Sequence, residues 1–389
     1  MHAKRIILLL LLCIFYSYAE AQITSSTQAA DEQSLQLFTD HKWKELLQMG
    51  KNSIARGIDF PLLRMRTAYA AFALGNYSES LKHYRTVYDK DKENAVALYY
   101  LYLNDLYLNN TTGARFYAGK LTKEVKASEK LKSLKIAAAG IEYSYKSPDI
   151  LERGNAQYGR LSVATQLGYR LELQQSVSFY NQVISEPKFT FVTNNTKINI
   201  KQKEYYGKLV FAASGTVSVI AGAHYLYIPF NNYIYNNLVG FGGLKYATPY
   251  VQLEGMVHLA SIRDTSYNQY DLSISTNPLG NLNLYTITRG TYAKDFTFTQ
   301  VAGVKILKNT WIEANATFGT YNTLIDNDAL YVFDDIDTKK LKVGGTLYVL
   351  LAKKVRASLN FIAENKTKYG TTNINFHQYS TTGGILWNF

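Results

Sequence analysis

Most of the usual means of stapling a chain are missing here. The only cysteine is Cys13, inside the leader read below, so the exported chain carries no thiol. Disulfides and thiolate metal sites are excluded, and stability must come from packing or from a lipid surround. Beyond the leader, no segment approaches the roughly 18 consecutive apolar residues of a spanning helix, so any membrane crossing has to be made by strands. Histidines are few: His41, His83, His224, His258 and His377 lie beyond the leader, and no pair has metal-ligand spacing on one element, so no metal is expected. A nucleophile elbow, a phosphate loop and a dinucleotide fingerprint are absent, so neither catalysis nor a cofactor is expected. The one enzymatic alternative is a lipid hydrolase pairing His377 with a serine on a neighbouring strand. Nucleic-acid motifs are missing too. The formal charge of +12 therefore points to anionic lipid headgroups, lipopolysaccharide included, or to acidic glycans.

What is present begins with Lys4 and Arg5, an apolar run from Ile6 to Tyr16, and Ala19-Glu20-Ala21. This reads as a secretory signal peptide over residues 1–21, cut after Ala21. A lipoprotein reading through Cys13 is opposed by the large Leu12 before it. The next segment, residues 22–132, has helical periodicity and repeats itself. Trp43, Tyr77 and Thr111 each open a helix, and the steps from 43 to 77 and from 77 to 111 are both 34 residues, the tetratricopeptide period. Pro61 to Asn94 forms the best unit, with Ala68 and Ala71 in its first helix, Gly75-Asn76-Tyr77 at its turn, and Tyr84 and Val87 in its second. Ala95 to Ser128 is a divergent unit that keeps Ala114 and Ala118. The expected role is docking of a periplasmic protein partner, the alternative being that the array only braces the mouth of the carboxy-terminal domain. Tyr99, Tyr100, Tyr102 and Tyr107 form an aromatic stripe, most of which reads as core rather than binding surface.

From residue 133 to 389 the period is two. Leu171, Leu173, Val177 and Phe179, then Val251, Leu253, Val257 and Leu259, then Ile312, Ala314, Ala316 and Phe318 share one parity, and the other parity is polar. With 33 Tyr, 18 Phe and only six Pro, this is the mix of a transmembrane barrel. Strands centre near residues 140, 163, 175, 209, 222, 240, 255, 273, 287, 302, 316, 346, 359 and 383. That makes about fourteen, with 12 to 16 as the range, joined by tight links such as Ser214-Gly215 and Lys353-Lys354 alternating with longer ones at Ser147 to Ala156, Ser185 to Thr196 and Asn365 to Asn373. The final strand, with Tyr379, Ile385, Trp387 and Phe389 on one face, reads as the terminal signal taken up by the barrel-assembly machinery.

The polar parity places Glu142, Arg160, Arg170, Glu172, Glu204, Lys208, Glu254, His258, Lys305, Glu313, Lys342 and Arg356 toward the lumen. They form either a path for a solute or polymer, or a web of ion pairs that fills the barrel. Asp326, Asp328, Asp334, Asp335 and Asp337 read as solvated loop residues, calcium binding or bridging of lipopolysaccharide being the alternative.

A leader, a short tetratricopeptide array carrying Gly75-Asn76-Tyr77, and a barrel ending in Trp387-Asn388-Phe389 together resemble the YaiO-like outer-membrane proteins. More broadly they resemble polysaccharide-export porins with periplasmic repeats, and surface-lipoprotein translocators that join such repeats to a fourteen-stranded barrel. The resemblance implies a Gram-negative outer-membrane barrel with its helical domain in the periplasm, serving export of a polysaccharide or other surface polymer, or assembly. The alternative is a structural or adhesive barrel with a filled, non-conducting lumen.

Overall fold

The computed structural model describes residues 26–186, 196–230, 233–370 and 374–389. The leader, and with it the cleavage expected after Ala21, lies outside the described residues. The chain divides into two compact units, Met1–Leu108 and Asn109–Phe389.

The first unit is helical: α1 over the described residues 26–39, α2 (Trp43–Ala55), α3 (Pro61–Ala73), α4 (Tyr77–Lys90) and α5 (Ala95–Tyr107). Local chemistry sets these boundaries. Pro61 opens α3 at a position that needs no N–H, Gly75 leaves it through a left-handed φ of 74°, and the Asn76 and Asn94 side chains accept from the Glu79 and Ala97 N–H groups. Helix starts recur at residues 61 and 95 as they do at 43 and 77, each 34 on. Small side chains then let helices approach. Ala68, Ala70 and Ala71 are fully buried, and a Cβ on Gly50 would collide with Thr67 Oγ1. The tyrosine stripe is divided rather than uniformly core: Tyr102 is buried, while Tyr107 is 49% exposed and stacks on Tyr77 at 4.6 Å. Asn76→Ala is expected to cost about 1 kcal/mol and to lower the first melting transition of the helical circular-dichroism signal by a few degrees, with strand content unchanged.

The second unit opens with α6 (Thr111–Lys120) and α7 (Lys123–Ser128) and continues into strands. These are β1 (Leu134–Pro148), β2 (Arg153–Leu167), β3 (Leu171–Glu186), β4 (Thr196–Ala212), β5 (Val217–Phe230), β6 (Tyr233–Ala247) and β7 (Val251–Ile262). After them come β8 (Thr265–Thr276), β9 (Leu284–Tyr292), β10 (Phe296–Leu307), β11 (Thr310–Asp326), β12 (Tyr331–Ala352), β13 (Val355–Thr367) and β14 (Asn375–Asn388). All fourteen expected centres fall within these strands. Each strand pairs antiparallel with its sequence neighbours, and β1 closes the ring on β14 with Ala139 opposite Trp387 and Ile141 opposite Ile385. Outside, Leu259, Leu272, Phe361, Tyr379, Ile385 and Trp387 are half exposed or more, as a surface facing lipid requires and one facing water does not. No helix among the described residues is long and apolar enough to cross a membrane.

The links 213–216, 248–250, 308–309 and 353–354 share one rim with the start of β1 and the end of β14. The link expected at 147–156 shortens to 149–152, and the one expected at 365–373 shifts to 368–374, because cross-strand pairing continues past the apolar belt. Lys146 pairs with Ala156, and Thr367 with Asn375, so the polar composition there marks emergence from lipid rather than the end of the strand. Helices α6 and α7 belong with the barrel, so the division falls at 108/109 and not at the expected 132/133. Tyr117 fills the space over Gly215, Tyr169 packs on Gly119, Lys126 Nζ donates to the Gly119 carbonyl at 2.7 Å, and Arg115 pairs with Glu172.

Candidate functional site: the barrel interior

At 17 and 22 residues, β11 and β12 outrun their neighbours; β9 has nine. Their outer parts leave the wall. The last β10–β11 pair is Phe298 with Phe318, and the last β12–β13 pair is Thr338 with Thr367. Beyond these, residues from Thr323 to Asp326 pair only with Tyr331 to Asp334 of the same hairpin. Gly319 makes the departure possible. Its φ is +130°, and a Cβ there would lie 2.7 Å from the Phe296 carbonyl. Register shifts on either side of Tyr321 complete the bend. At the tip, Asn327, Asp328 and Ala329 take left-handed φ of 52–58°.

The hairpin turns inward, and an apolar patch receives it. Val210, Ile220, Val239, Phe241, Met256, Ala260 and Ile262 project into the lumen from β4 to β7 and pack with Ile325 and Ala329 of the tip, with Leu330 and Val332 alongside. Each fully buried aliphatic side chain of this kind contributes about 1.5–3 kcal/mol. Hydrogen bonds fix the seating. Gln269 accepts from Ile325 N–H at 2.9 Å and donates to its carbonyl at 2.6 Å. The Tyr206 and Tyr267 hydroxyls donate to the carbonyls of Asp328 and Thr323, and His224 Nδ1 donates to that of Ala329 at 2.6 Å.

The five aspartates are not solvated loop residues. Asp326 meets Arg289 at 2.6 Å and Lys342 at 3.8 Å, Asp328 meets Lys208 at 2.9 Å, and Asp334 meets Arg263 at 2.5 Å. Asp335 lies 2.7 Å from Lys339 and 3.1 Å from Lys366. Asp337 takes both arms of Arg153, at 2.6 and 2.7 Å, with both side chains all but fully buried. An inward-folded acidic segment finds in the lumen the cations that water would otherwise screen, which accounts for the difference from a solvated loop.

The residues expected to face the lumen are distributed unevenly. Arg160 bonds Glu142 at 2.8 Å and lies over the Tyr331 ring of the hairpin, and the Tyr331 hydroxyl itself donates to Glu142 at 3.0 Å. Lys208 and Lys342 pair with the hairpin as above, and Glu204 sits 3.2 Å from His224 Nε2. His258 is fully buried, 3.6 Å from Asp271. Toward the rim of the termini, Glu254 lies opposite Lys245, Lys305 covers Trp311, Glu313 accepts from the Tyr285 hydroxyl at 2.8 Å, and Arg356 covers Tyr348. Glu172 turns to Arg115 of α6. Arg170 is the exception: it lies in the turn before β3 with its guanidinium over Phe116 at 5.0 Å, because β3 begins only at Leu171. Gly75, Asn76 and Tyr77 form the α3–α4 turn, cap and first α4 residue, while Tyr379, Ile385, Trp387 and Phe389 point outward. His377 also faces outward with Asp149 at 3.3 Å, and among the described residues no serine hydroxyl bonds its ring.

Arg153, Arg263, Arg289, Lys339 and Lys366 were not singled out from sequence. One signal was available for the apolar patch: β5 is apolar on both parities, with Val219 and Tyr225 outside and Ile220, Leu226 and Ile228 inside, so its inner face needs a cover. Around the hairpin remains a cavity of about 680 Å³ bordered by β1 to β6 and β9 to β14. Among the described residues no group of three His, Cys, Asp or Glu side chains could hold a metal ion.

No protein-family model and no curated protein matches the sequence. Among solved structures, the chain is similar to the P. putida toluene transporter TodX, with a TM-score of 0.47 and 10% identity over 73% of this chain and 98% of that one. It is also similar to a Pseudomonas aeruginosa FadL homologue, at 0.44 and 9% over 71% and 92%. A third is the Acinetobacter baumannii outer membrane protein Omp33, at 0.39 and 9% over 66% and 100%. At this identity and score the likeness is one of architecture alone.

Proposed function

We propose that the chain is an outer-membrane transport barrel whose lumen is held shut by the β11–β12 hairpin. The observation that carries this reading is that the hairpin fills the lumen without being part of the wall. All fourteen strands close through their neighbours, and the segment from Gly319 to Asp337 is attached only by side-chain packing, ion pairs and hydrogen bonds. Such an element can leave without opening the barrel. The apolar exterior supports placement in a Gram-negative outer membrane in contact with lipid and lipopolysaccharide. An even strand count returns both ends of the barrel to one rim, which supports a periplasmic helical unit. Its 34-residue helix spacing supports a tetratricopeptide-type module that docks a protein partner, and export of a polysaccharide or other surface polymer is the cargo reading that goes with it. No catalytic role is proposed.

The density of buried ion pairs favours the second reading, a structural or adhesive barrel with a permanently filled interior. Planar-bilayer recordings of the wild type and of Asp337→Asn separate the two. Removing one partner of the buried Arg153–Asp337 pair costs about 3–5 kcal/mol and loosens the hairpin, so openings are expected to become at least tenfold more frequent. Unchanged silence in a variant with normal heat-shifted gel mobility supports the filled barrel.

A further inference from the structure

Most of the cations packed against the hairpin are matched with carboxylates. Arg153, Arg160, Lys208, Arg263, Arg289, Lys339, Lys342 and Lys366 each have one within 4.0 Å. Among the described residues Lys146 of β1 has none, and no hydrogen bond reaches its Nζ. What surrounds that ammonium is aromatic: Phe333 of the hairpin at 5.5 Å and Tyr180 of β3 at 5.8 Å from the ring centres. The nearby carboxylates are already engaged. Asp335 and Glu364 are each shared by Lys339 and Lys366, at 2.7 to 3.4 Å, and Gln378 bridges Lys366 and Glu364. This square is neutral, so Lys146, itself half-buried, adds a positive charge that no neighbouring carboxylate offsets. The ammonium borders the 680 Å³ cavity together with Tyr158, Tyr180, Phe333, Gln182 and Gln378, a volume within the range of small-molecule sites.

We infer that this corner of the lumen is a binding site for a small organic anion, a carboxylate carried on a flat aromatic body. The carboxylate takes the position beside Lys146 Nζ that no protein group fills, with the amides of Gln182 and Gln378, which already donate to the Gly154 carbonyl and to Glu364, lining its approach. The body lies against the ring of Tyr180 and the edge of Phe333, whose faces carry Lys339 at 4.4 Å and Lys342 at 4.9 Å as well as the Lys146 ammonium and stack on Tyr331. Because Lys146 belongs to the wall and Phe333 to the hairpin, the bound anion bridges the two and favours the closed position. The site rests on the interior geometry and does not require that the barrel conduct.

The test is isothermal titration of the full folded chain in detergent with sodium benzoate, and with benzamide as the neutral counterpart. Saturable binding of benzoate is expected, with benzamide at least about tenfold weaker, the value of one charge-assisted contact. Lys146→Met is expected to reduce benzoate affinity at least about tenfold, and Phe333→Leu severalfold while leaving the preference for benzoate over benzamide. No saturable heat, equal affinity for the two probes, or a Lys146→Met chain that binds as the wild type does overturns the assignment. The two probes on the wild-type chain decide the matter should Lys146→Met fail to fold. Conductance is read separately, so a silent barrel that binds benzoate and a conducting one that does not are distinct results.

Discussion

Deleting residues 320–337 and joining Gly319 to Thr338 through a short turn is expected to turn a barrel that rarely conducts into one with stable, large steps in planar bilayers. The wall does not depend on the deleted segment, since β11 remains paired to β10 as far as Phe318 and β12 to β13 as far as Thr338. The ring is therefore expected to keep its heat-shifted gel mobility. A fourteen-stranded wall lies between eight-stranded barrels filled by their own side chains and open porins of 16–18 strands, so the emptied lumen should admit ions freely. The apolar patch of Ile220, Phe241 and Met256 would then face water, a cost borne inside the barrel and not along the seams that close it.

Selectivity gives this prediction a second readout. Residues 320–337 contain Asp326, Asp328, Asp334, Asp335 and Asp337 and no lysine or arginine, so their removal takes from Lys208, Arg263 and Arg289 the carboxylates they now pair with. The open form is expected to prefer anions, measured as a reversal potential in a salt gradient, and the preference should weaken as screening rises. A folded deletion variant that stays silent excludes the hairpin as the barrier. One that conducts without anion preference excludes the ion pairing described above.

The barrel was legible in the sequence because its chemistry is local. Leu253, Val257 and Leu259 alternate with Glu254 and His258, and an alternation of that kind needs no knowledge of distant residues to be read as a wall with lipid on one side and polar groups on the other. The hairpin was not legible, because its meaning is non-local. Asp328 finds Lys208 and Asp337 finds Arg153 across separations of 120 and 184 residues, and nothing in the segment itself distinguishes an acidic loop in water from one folded among cations. Arg170 shows the opposite failure. It has the parity of Glu172, but β3 starts one residue later, so a correct pattern extended one position too far put a rim residue on the wall. The patch beneath the hairpin lay between these cases. Ile220, Leu226 and Ile228 break the alternation of β5 in plain view, and a strand apolar on both faces implies that something covers the inner one.

Removing Trp387, Asn388 and Phe389 is expected to abolish the folded, heat-shifted species altogether, a larger effect than any single substitution in the wall. Thirteen of the fourteen strand pairings join neighbours in sequence. The seam of β1 and β14 alone joins residues some 250 positions apart, such as Ala139 and Trp387, and so has the greatest loop-closure cost and the least local help. The three residues hold one end of that seam. Across the seam, Phe389 N–H donates to the Ala137 carbonyl at 3.0 Å and Lys135 Nζ reaches the Phe389 carbonyl at 3.3 Å, while Asn388 N–H ties the other edge of β14 to the Lys354 carbonyl at 2.7 Å. Outside, Trp387 and Phe389 stack at 5.7 Å on the surface that meets lipid. Backbone bonds at about 1 kcal/mol each and two large aromatic side chains at about 1.5–3 kcal/mol each sum to about the net stability of a typical folded domain. Trp387→Ala and Phe389→Ala, which keep the backbone bonds, should each retain a folded fraction with a lower temperature for the mobility shift. If the truncated chain folds and inserts as the full one does, the seam is held elsewhere, along Ile141–Ile385 and Tyr145–Thr381. The terminal aromatics then have no part in either closure or assembly.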